Sequence, residues 1–211
     1  SVLCAAGAAG VRRVVAASSS SVYGNCPTAP FHEELDVSQP ISPYAATKRA
    51  CELIAYTHWH LTRMPVAMLR FFTVYGERQR PDLAISLFLT KVASGLPIPV
   101  YGDMSTSRDY TYVADTVAGI ISGLANIDRY GYRVWNLGND KPVSLADMIA
   151  TIGRVVGHAP QLQQLPARPG DVERTWADLT RSRRELGYAP TVSFAEGVAR
   201  QWAWLKAADQ G

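Results

Sequence analysis

The chain has 211 residues, 47% hydrophobic and 18% charged, the balance of a soluble globular protein with ample material for a core. A net charge of +3 is too small to argue for a nucleic-acid or membrane surface as partner, and no apolar run approaches the roughly 20 residues of a membrane span. The three cysteines, Cys4, Cys26 and Cys51, are scattered and odd in number, so a reducing cytoplasm is expected, with neither a disulfide framework nor a metal site.

Ser1 to Gly10 reads as the end of a helix stopped by Gly10, as in the middle of a domain. Val11 to Ala17 follows, its apolar end without alternation, and suits a buried parallel strand. It runs into Ser18-Ser19-Ser20-Ser21-Val22-Tyr23-Gly24. Loops at the C-terminal ends of parallel strands are where open α/β sheets bind ligands. These serines can therefore hold a substrate hydroxyl, although the run alone reads first as a plain Ser-rich turn. A loop rich in Pro and Glu crosses from Asn25 to Ile41.

Ser42-Pro43-Tyr44-Ala45-Ala46-Thr47-Lys48 then opens a helix that reaches about Thr62, before Pro65. Ser42 suits the N-cap and Pro43 the first helical position. Tyr44 and Lys48, four apart, share one face. A phenol is a poor base at neutral pH, but a neighbouring ammonium favours its ionised form. The pair can thus serve as general base toward an alcohol, although the same spacing occurs on many solvated helices. On the far face Cys51, Ile54, Ala55, His58 and Trp59 suit either a partner contact or internal packing.

Val66 to Phe72 is a second buried strand, ending in Thr73-Val74-Tyr75-Gly76 and the polar loop Glu77-Arg78-Gln79-Arg80-Pro81-Asp82. Two arginines at the mouth of a sheet can clamp phosphate or carboxylate, or simply be solvated. Leu83 to Ser94 is an amphipathic helix. Ile98 to Gly102 and Ser107 to Val113 are short strands, Ala114 to Asn126 is helical, and Tyr132 to Leu137 is a further strand. Capping boxes Ser144/Asp147 and Ser193/Glu196 open two more helices, the last expected to bury Trp202 and Leu205. Ala167 to Asp171 is a polar loop. Strands alternating with helices predict a mostly parallel α/β core, with a smaller α/β lobe in the second half.

Taken in order, these segments resemble the extended short-chain dehydrogenase/reductase family, specifically its NAD-dependent nucleotide-sugar epimerases and dehydratases. The signals are Ser19 after a strand, Tyr44-x-x-x-Lys48, Arg70-Phe71-Phe72-Thr73-Val74-Tyr75-Gly76, Arg78-Gln79-Arg80-Pro81-Asp82, Val100-Tyr101-Gly102-Asp103, Arg108-Asp109-Tyr110 and Arg168-Pro169-Gly170-Asp171. The resemblance implies a Rossmann-type parallel sheet with a substrate-binding lobe. Residues 1–76 would be the C-terminal half of the dinucleotide-binding domain and 77–211 mainly the UDP-sugar lobe, with 107–137 partly returning to the main sheet.

It also implies roles. Tyr44 would take the sugar 4-hydroxyl proton, Lys48 would hold the nicotinamide ribose, and Ser19 and Ser21 would contact the sugar. Ala17 and Phe72 would lie at NAD. Arg108 and Arg168 would pair with the diphosphate, Asp171 with a ribose hydroxyl, and Ala84, Ile85, Pro99 and Tyr101 would line the uracil. Related dehydratases and decarboxylases carry an acid where this chain has Ser21, the dehydratases also at Ser20, so 4-epimerisation is favoured. Thr73, with Arg80 facing a C6 carboxylate, resembles the UDP-glucuronate 4-epimerases; UDP-glucose or galactose comes next. A homodimer through the Tyr44 helix is implied.

The family's strand–Gly-x-x-Gly-x-x-Gly–helix is not found in this sequence. A truncated chain that at most binds the nucleotide sugar is the other reading. A parallel sheet lacking its neighbouring strands would expose an apolar edge and tend to associate.

Overall fold

The computed structural model describes residues 2–166 and 172–208. In chain order the elements begin with α1 (Val2–Ala8), β1 (Val14–Ser19), α2 (Pro43–Thr62), β2 (Val66–Phe71), β3 (Thr73–Tyr75), α3 (Ala84–Ala93), β4 (Ile98–Tyr101) and β5 (Ser107–Tyr112). They continue with α4 (Val113–Asn126), β6 (Tyr132–Leu137), β7 (Pro142–Ser144), α5 (Leu145–Val156), β8 (Leu162–Leu165), α6 (Thr180–Leu186) and α7 (Phe194–Ala208). This is a mixed α/β chain with a Rossmann-type parallel sheet at its centre.

That sheet has the order β1-β2-β6, all parallel, with Ser18 beside Arg70 and Arg70 beside Asn136. Strand β2 is an almost unbroken buried run, because it has a strand on each side and a helix on each face. One face presents Val66 and Met68 to Ala55 of α2. The other presents Leu69 to α4, where a Cβ on Gly119 would stand 2.7 Å from Leu137 Cδ1. Helix α4 lies this close only because Gly119 has no side chain there. A second layer is built by β3-β5-β7 and by the parallel pair β4-β8. Its core joins Ile85, Leu89, Ile98, Val100, Met148 and Ile152.

Helix α2 starts as its sequence dictates: Ser42 Oγ accepts the Ala45 N–H at 3.1 Å, with Pro43 next. It stops at Arg63, which takes a left-handed φ of 62° and donates its N–H to the Trp59 carbonyl. Ala55 is internal, and Trp59 packs on Tyr132 and over Gly131. Cys51 and Ile54 are exposed. Strand β1 begins three residues later than the apolar run and keeps Ser18 and Ser19 within it.

Strands β7 and β8 and helix α6 carry no clear sequence signal. The strands are three and four residues long, and α6 is seven residues rich in Arg with no side-chain cap. In α7 only half of the capping box forms. Ser193 Oγ accepts the Glu196 N–H at 3.3 Å, but the Glu196 carboxylate turns to Arg200 at 2.6 Å. Trp202 and Leu205 are half-buried rather than buried; the positions α7 buries fully are Gly197, Val198 and Gln201.

Strand β6 is tied to α6 through Glu185. Its carboxylate accepts from Arg133 Nε at 2.8 Å and from the Trp135 indole at 2.9 Å, with Arg184 adding a third donor at 2.8 Å. Burial pushes the Glu185 pKa up, but these donors outweigh it and hold it at about 2, below the ordinary 4.5. The folded state thus binds fewer protons than the unfolded one. The stabilisation is complete above about pH 4.5 and is lost as pH falls toward 2. Glu185→Gln is therefore expected to flatten the acid limb of the stability profile in that window, read by urea unfolding; an unchanged limb would exclude Glu185 as its source.

Candidate active site

Tyr44, Lys48, Ser19, Ser21 and Ala17 converge at the C-terminal end of β1. The N-cap and Pro43 set the start of α2, and the helical repeat places Lys48 one turn below Tyr44, with its ammonium 5.7 Å from the centre of the phenol ring. Lys48 Nζ donates to the Ala17 carbonyl at 3.1 Å, which joins the helix to the strand end. Two residues on, Ser19 caps a 3-10 turn, Ser20–Tyr23. Its Oγ accepts the Ser21 N–H at 3.1 Å and donates to Ser21 Oγ at 3.0 Å. Tyr44 is 55% exposed, so its phenol is open to a ligand.

Beneath this cluster lies a buried ion pair. Glu52, two turns beyond Tyr44 on α2, accepts from Arg70 Nε at 2.8 Å and from a terminal Arg70 nitrogen at 2.9 Å. Ser18 Oγ donates to the same carboxylate at 2.6 Å. One carboxylate thus grips both members of the cross-strand pair Ser18 and Arg70. Burial pushes Glu52 up, but the bonds from Arg70, Ser18 and Arg49 together hold its pKa below the ordinary value. The Arg70 guanidinium lies 4.8 Å from the centre of the Tyr23 ring. Sequence reading missed Glu52, since a glutamate in a helix ordinarily faces water.

Phe72 is buried against Tyr23, at 6.4 Å between ring centres, as part of the hydrophobic core. Thr73, just after it, is half-buried and opens β3, which pairs with β5 so that Thr73 stands beside Tyr110. Tyr110, its ladder partner, lines a cavity of about 440 Å³. Ala84, Pro99, Tyr101 and Arg108 all line it, with Thr106, Tyr110, Leu145 and Met148. Ile85 does not: helical spacing turns it inward to pack with Phe88 and Leu89, leaving it 1% exposed. Arg108 donates to the Ser107 carbonyl at 2.9 Å and the Glu173 carbonyl at 3.3 Å. Arg80 is exposed and pairs with Asp82 at 3.4 Å. Arg168 and Asp171 lie outside the described residues.

A larger cavity of about 650 Å³ opens between Asn25, Cys26 and Pro27, after the Ser19 turn, and Ser105, Thr106, Ser107, Glu173 and Arg174. Thr106 lines both cavities. Thr106 and Arg174 had no signal in the sequence beyond lying near motif residues. Next to Arg108, Asp109 is fully buried and accepts backbone N–H bonds from Asn139, Asp140 and Ala177 at 2.6, 3.1 and 2.9 Å. Burial pushes its pKa up to about 6 against the pull of these donors. It fixes the Arg108 strand to two loops. Among the described residues, no cluster of His, Cys, Asp or Glu could hold a metal, and no helix is long and apolar enough to cross a membrane.

A family model described as GDP-mannose 4,6 dehydratase matches residues 1–201. A UDP-glucuronate 4-epimerase of Thermodesulfobacterium geofontis is 40% identical over 199 residues, covering 93% of this chain and 60% of that protein. Among solved structures, MoeE5 in complex with UDP-glucose and NAD superposes with a TM-score of 0.91 at 37% identity, over 98% of this chain and 69% of that one. The UDP-glucuronic acid 4-epimerase from Bacillus cereus, in complex with UDP-glucuronic acid and NAD, superposes with a TM-score of 0.85 at 32% identity, over 92% and 61%. The chain thus spans between about half and about three-fifths of the length of the curated relatives it matches. With the family model running through all but the last ten residues, and the same fold recurring in these structures, the chain belongs to the family of nucleotide-sugar epimerases and dehydratases of the extended short-chain dehydrogenase/reductase type.

Proposed function

We propose that this chain carries the proton-transfer pair and the nucleotide-sugar pocket of an NAD-dependent UDP-sugar 4-epimerase, with UDP-glucuronate as the substrate. The observation that carries the reading is the convergence of Tyr44, Lys48, Ala17 and Ser19 at one strand end, together with a cavity lined by Ala84, Pro99, Tyr101, Arg108 and Tyr110, the ladder partner of Thr73. The Lys48 ammonium gives one of its three donors to Ala17, leaving two for ribose hydroxyls, so the residues present fit the nicotinamide end of NAD. NAD, when bound, accepts the C4 hydride and returns it.

The residues of the chain supply the rest. Tyr44 takes the proton from the 4-hydroxyl as the C4–H bond breaks, which leaves a 4-keto sugar. Ser19 donates to the 4-oxygen once its single hydroxyl proton turns away from Ser21 Oγ. With NAD bound, the 4-keto sugar would turn over in the pocket, and Tyr44 would return the proton to the 4-oxygen. Ser20 and Ser21 offer no carboxyl acid to expel water, which favours epimerisation over dehydration.

For the sugar, Thr73 and Arg80 lie on the segment from the end of β2 to α3. A guanidinium fork suits the C6 carboxylate of a glucuronate. Calorimetric titration with UDP, UDP-glucose, UDP-glucuronate and NAD tests the reading. UDP-glucuronate should bind more tightly than UDP-glucose, and Arg80→Ala should remove about 10-fold of that difference while leaving UDP affinity unchanged. Equal binding of the two sugars by the unaltered chain would refute the glucuronate assignment. UDP binding without NAD binding would mark this chain as the sugar-nucleotide part alone. We also read exposed Ile54 and Leu61 of α2, 58% and 75% accessible, as the face for a second copy, to be checked by sedimentation.

A further inference from the structure

We propose that Gln201, on the last helix, is a specificity-positioning residue: its amide fixes the segment that presents Thr73 and Arg80 to the sugar. This rests on the reading above that those two residues meet the C6 group. Gln201 is fully buried, and both N–H donors and the carbonyl of its side-chain amide are engaged. Its Oε1 accepts the Gly76 N–H at 3.1 Å, and its Nε2 donates to Gln79 Oε1 at 3.0 Å and to Ser86 Oγ at 2.8 Å.

Gln79 extends the network in both directions. Its Nε2 donates to the Val74 carbonyl at 3.2 Å, beside Thr73, and its Oε1 also accepts from Ser86 Oγ at 3.1 Å and Ser86 N at 3.3 Å. The Gln79 N–H closes a turn onto the Gly76 carbonyl at 3.2 Å. The loop preceding α3 is therefore anchored at Gly76 and Gln79, and tied to Ser86 in α3, by one amide from a residue 115 to 125 positions away. Buried networks with every donor and acceptor paired hold one geometry, since each alternative leaves a polar group unpaired in low dielectric.

Arg80 follows Gln79 directly, and its side chain is 72% exposed. The backbone is held, while the guanidinium stays at the surface in an exposed pair with Asp82 that a ligand carboxylate can displace. Gln201 touches no substrate in this scheme; it acts through the position of Arg80 and Thr73. A displacement of about 1 Å at a positioning group can cost up to about 100-fold, so a loss of about 10-fold in discrimination is expected when the hub is removed.

The test compares calorimetric affinities for UDP, UDP-glucose and UDP-glucuronate in the full chain and in Gln201→Met, Gln201→Glu and Ser86→Ala. The expected result is a fall of about 10-fold in the glucuronate-over-glucose ratio in Gln201→Met with UDP affinity retained, and a smaller fall in Ser86→Ala. Combining Gln201→Met with Arg80→Ala should cost no further discrimination, because both act on one contact. If Gln201→Met fails to fold, shown by lost UDP binding, Gln201→Glu and Ser86→Ala decide. Normal discrimination in the unaltered chain, with unmoved ratios in the folded variants or an additive double variant, overturns this inference alone. No discrimination in the unaltered chain overturns the glucuronate reading and the role of Gln201 with it.

Discussion

Glu52→Ala is expected to destabilise the chain by about 3–5 kcal/mol, the cost of stranding a buried charge. This is not a surface ion pair, whose typical worth is about 0–1 kcal/mol. The Glu52 side chain is 0% exposed and that of Arg70 2%. Removing the carboxylate leaves the Arg70 guanidinium in the sheet without its counter-charge and Ser18 without its acceptor. The double variant Glu52→Ala with Arg70→Ala should cost less than the sum of the two single changes, because the second removes the group that the first stranded. Urea unfolding of the four proteins measures this. A single-variant loss below about 1 kcal/mol, or strict additivity, would show that water reaches the pair and that the clamp does not hold α2 on the sheet.

On the proposed reading, Tyr44→Phe is expected to lower UDP-sugar interconversion by about 100- to 10,000-fold, the usual contribution of a positioned general acid–base group. The ring stays, so the packing of α2 is kept; only the hydroxyl that would carry the proton is lost. Tyr44 is 55% exposed and its hydroxyl anchors no described contact, so stability and UDP affinity should be unmoved. The measurement is the rate of UDP-glucuronate to UDP-galacturonate conversion with NAD, beside UDP binding. Retained conversion would remove Tyr44 from the proton path. Loss of conversion together with loss of UDP binding would point instead to misfolding.

The parts of the site that the sequence disclosed are the local ones. The Ser42 cap, Pro43 and the four-residue step from Tyr44 to Lys48 follow from helix geometry, and the structure builds them as written. The strand ends at Ser19 and Thr73 follow from apolar runs broken by small polar residues. What sequence could not disclose is set by distant partners. Glu52 looks like a solvated helix residue until Ser18 and Arg70 are brought under it by the register of β1 and β2. Gln201 sits between Arg200 and Trp202 in a helix whose aromatic residues seemed the natural core; only the approach of Gly76 and Ser86 explains its burial. Ile85 shows the converse, where motif position suggested a ligand contact and helical phase sent the side chain inward.

The placement of α2 and α4 on opposite faces of β1-β2-β6 bears on how the chain assembles. Both helices precede a strand that steps the same way across the sheet. Two parallel crossovers that step alike but pass over opposite faces have opposite hands, so one of them departs from the right-handed rule that about 98% obey. Between β2 and β6 the chain also threads β3, α3, β4, β5 and α4. The β1-α2-β2 unit closes through neighbouring segments, whereas β6 must wait for a long excursion to return, and such distant pairing is slow. The kinetic expectation is an order of events: the strand end bearing Ser19 should meet the helix bearing Tyr44 early, and the third strand should latch the sheet last, an order that hydrogen-exchange labelling during refolding would reveal.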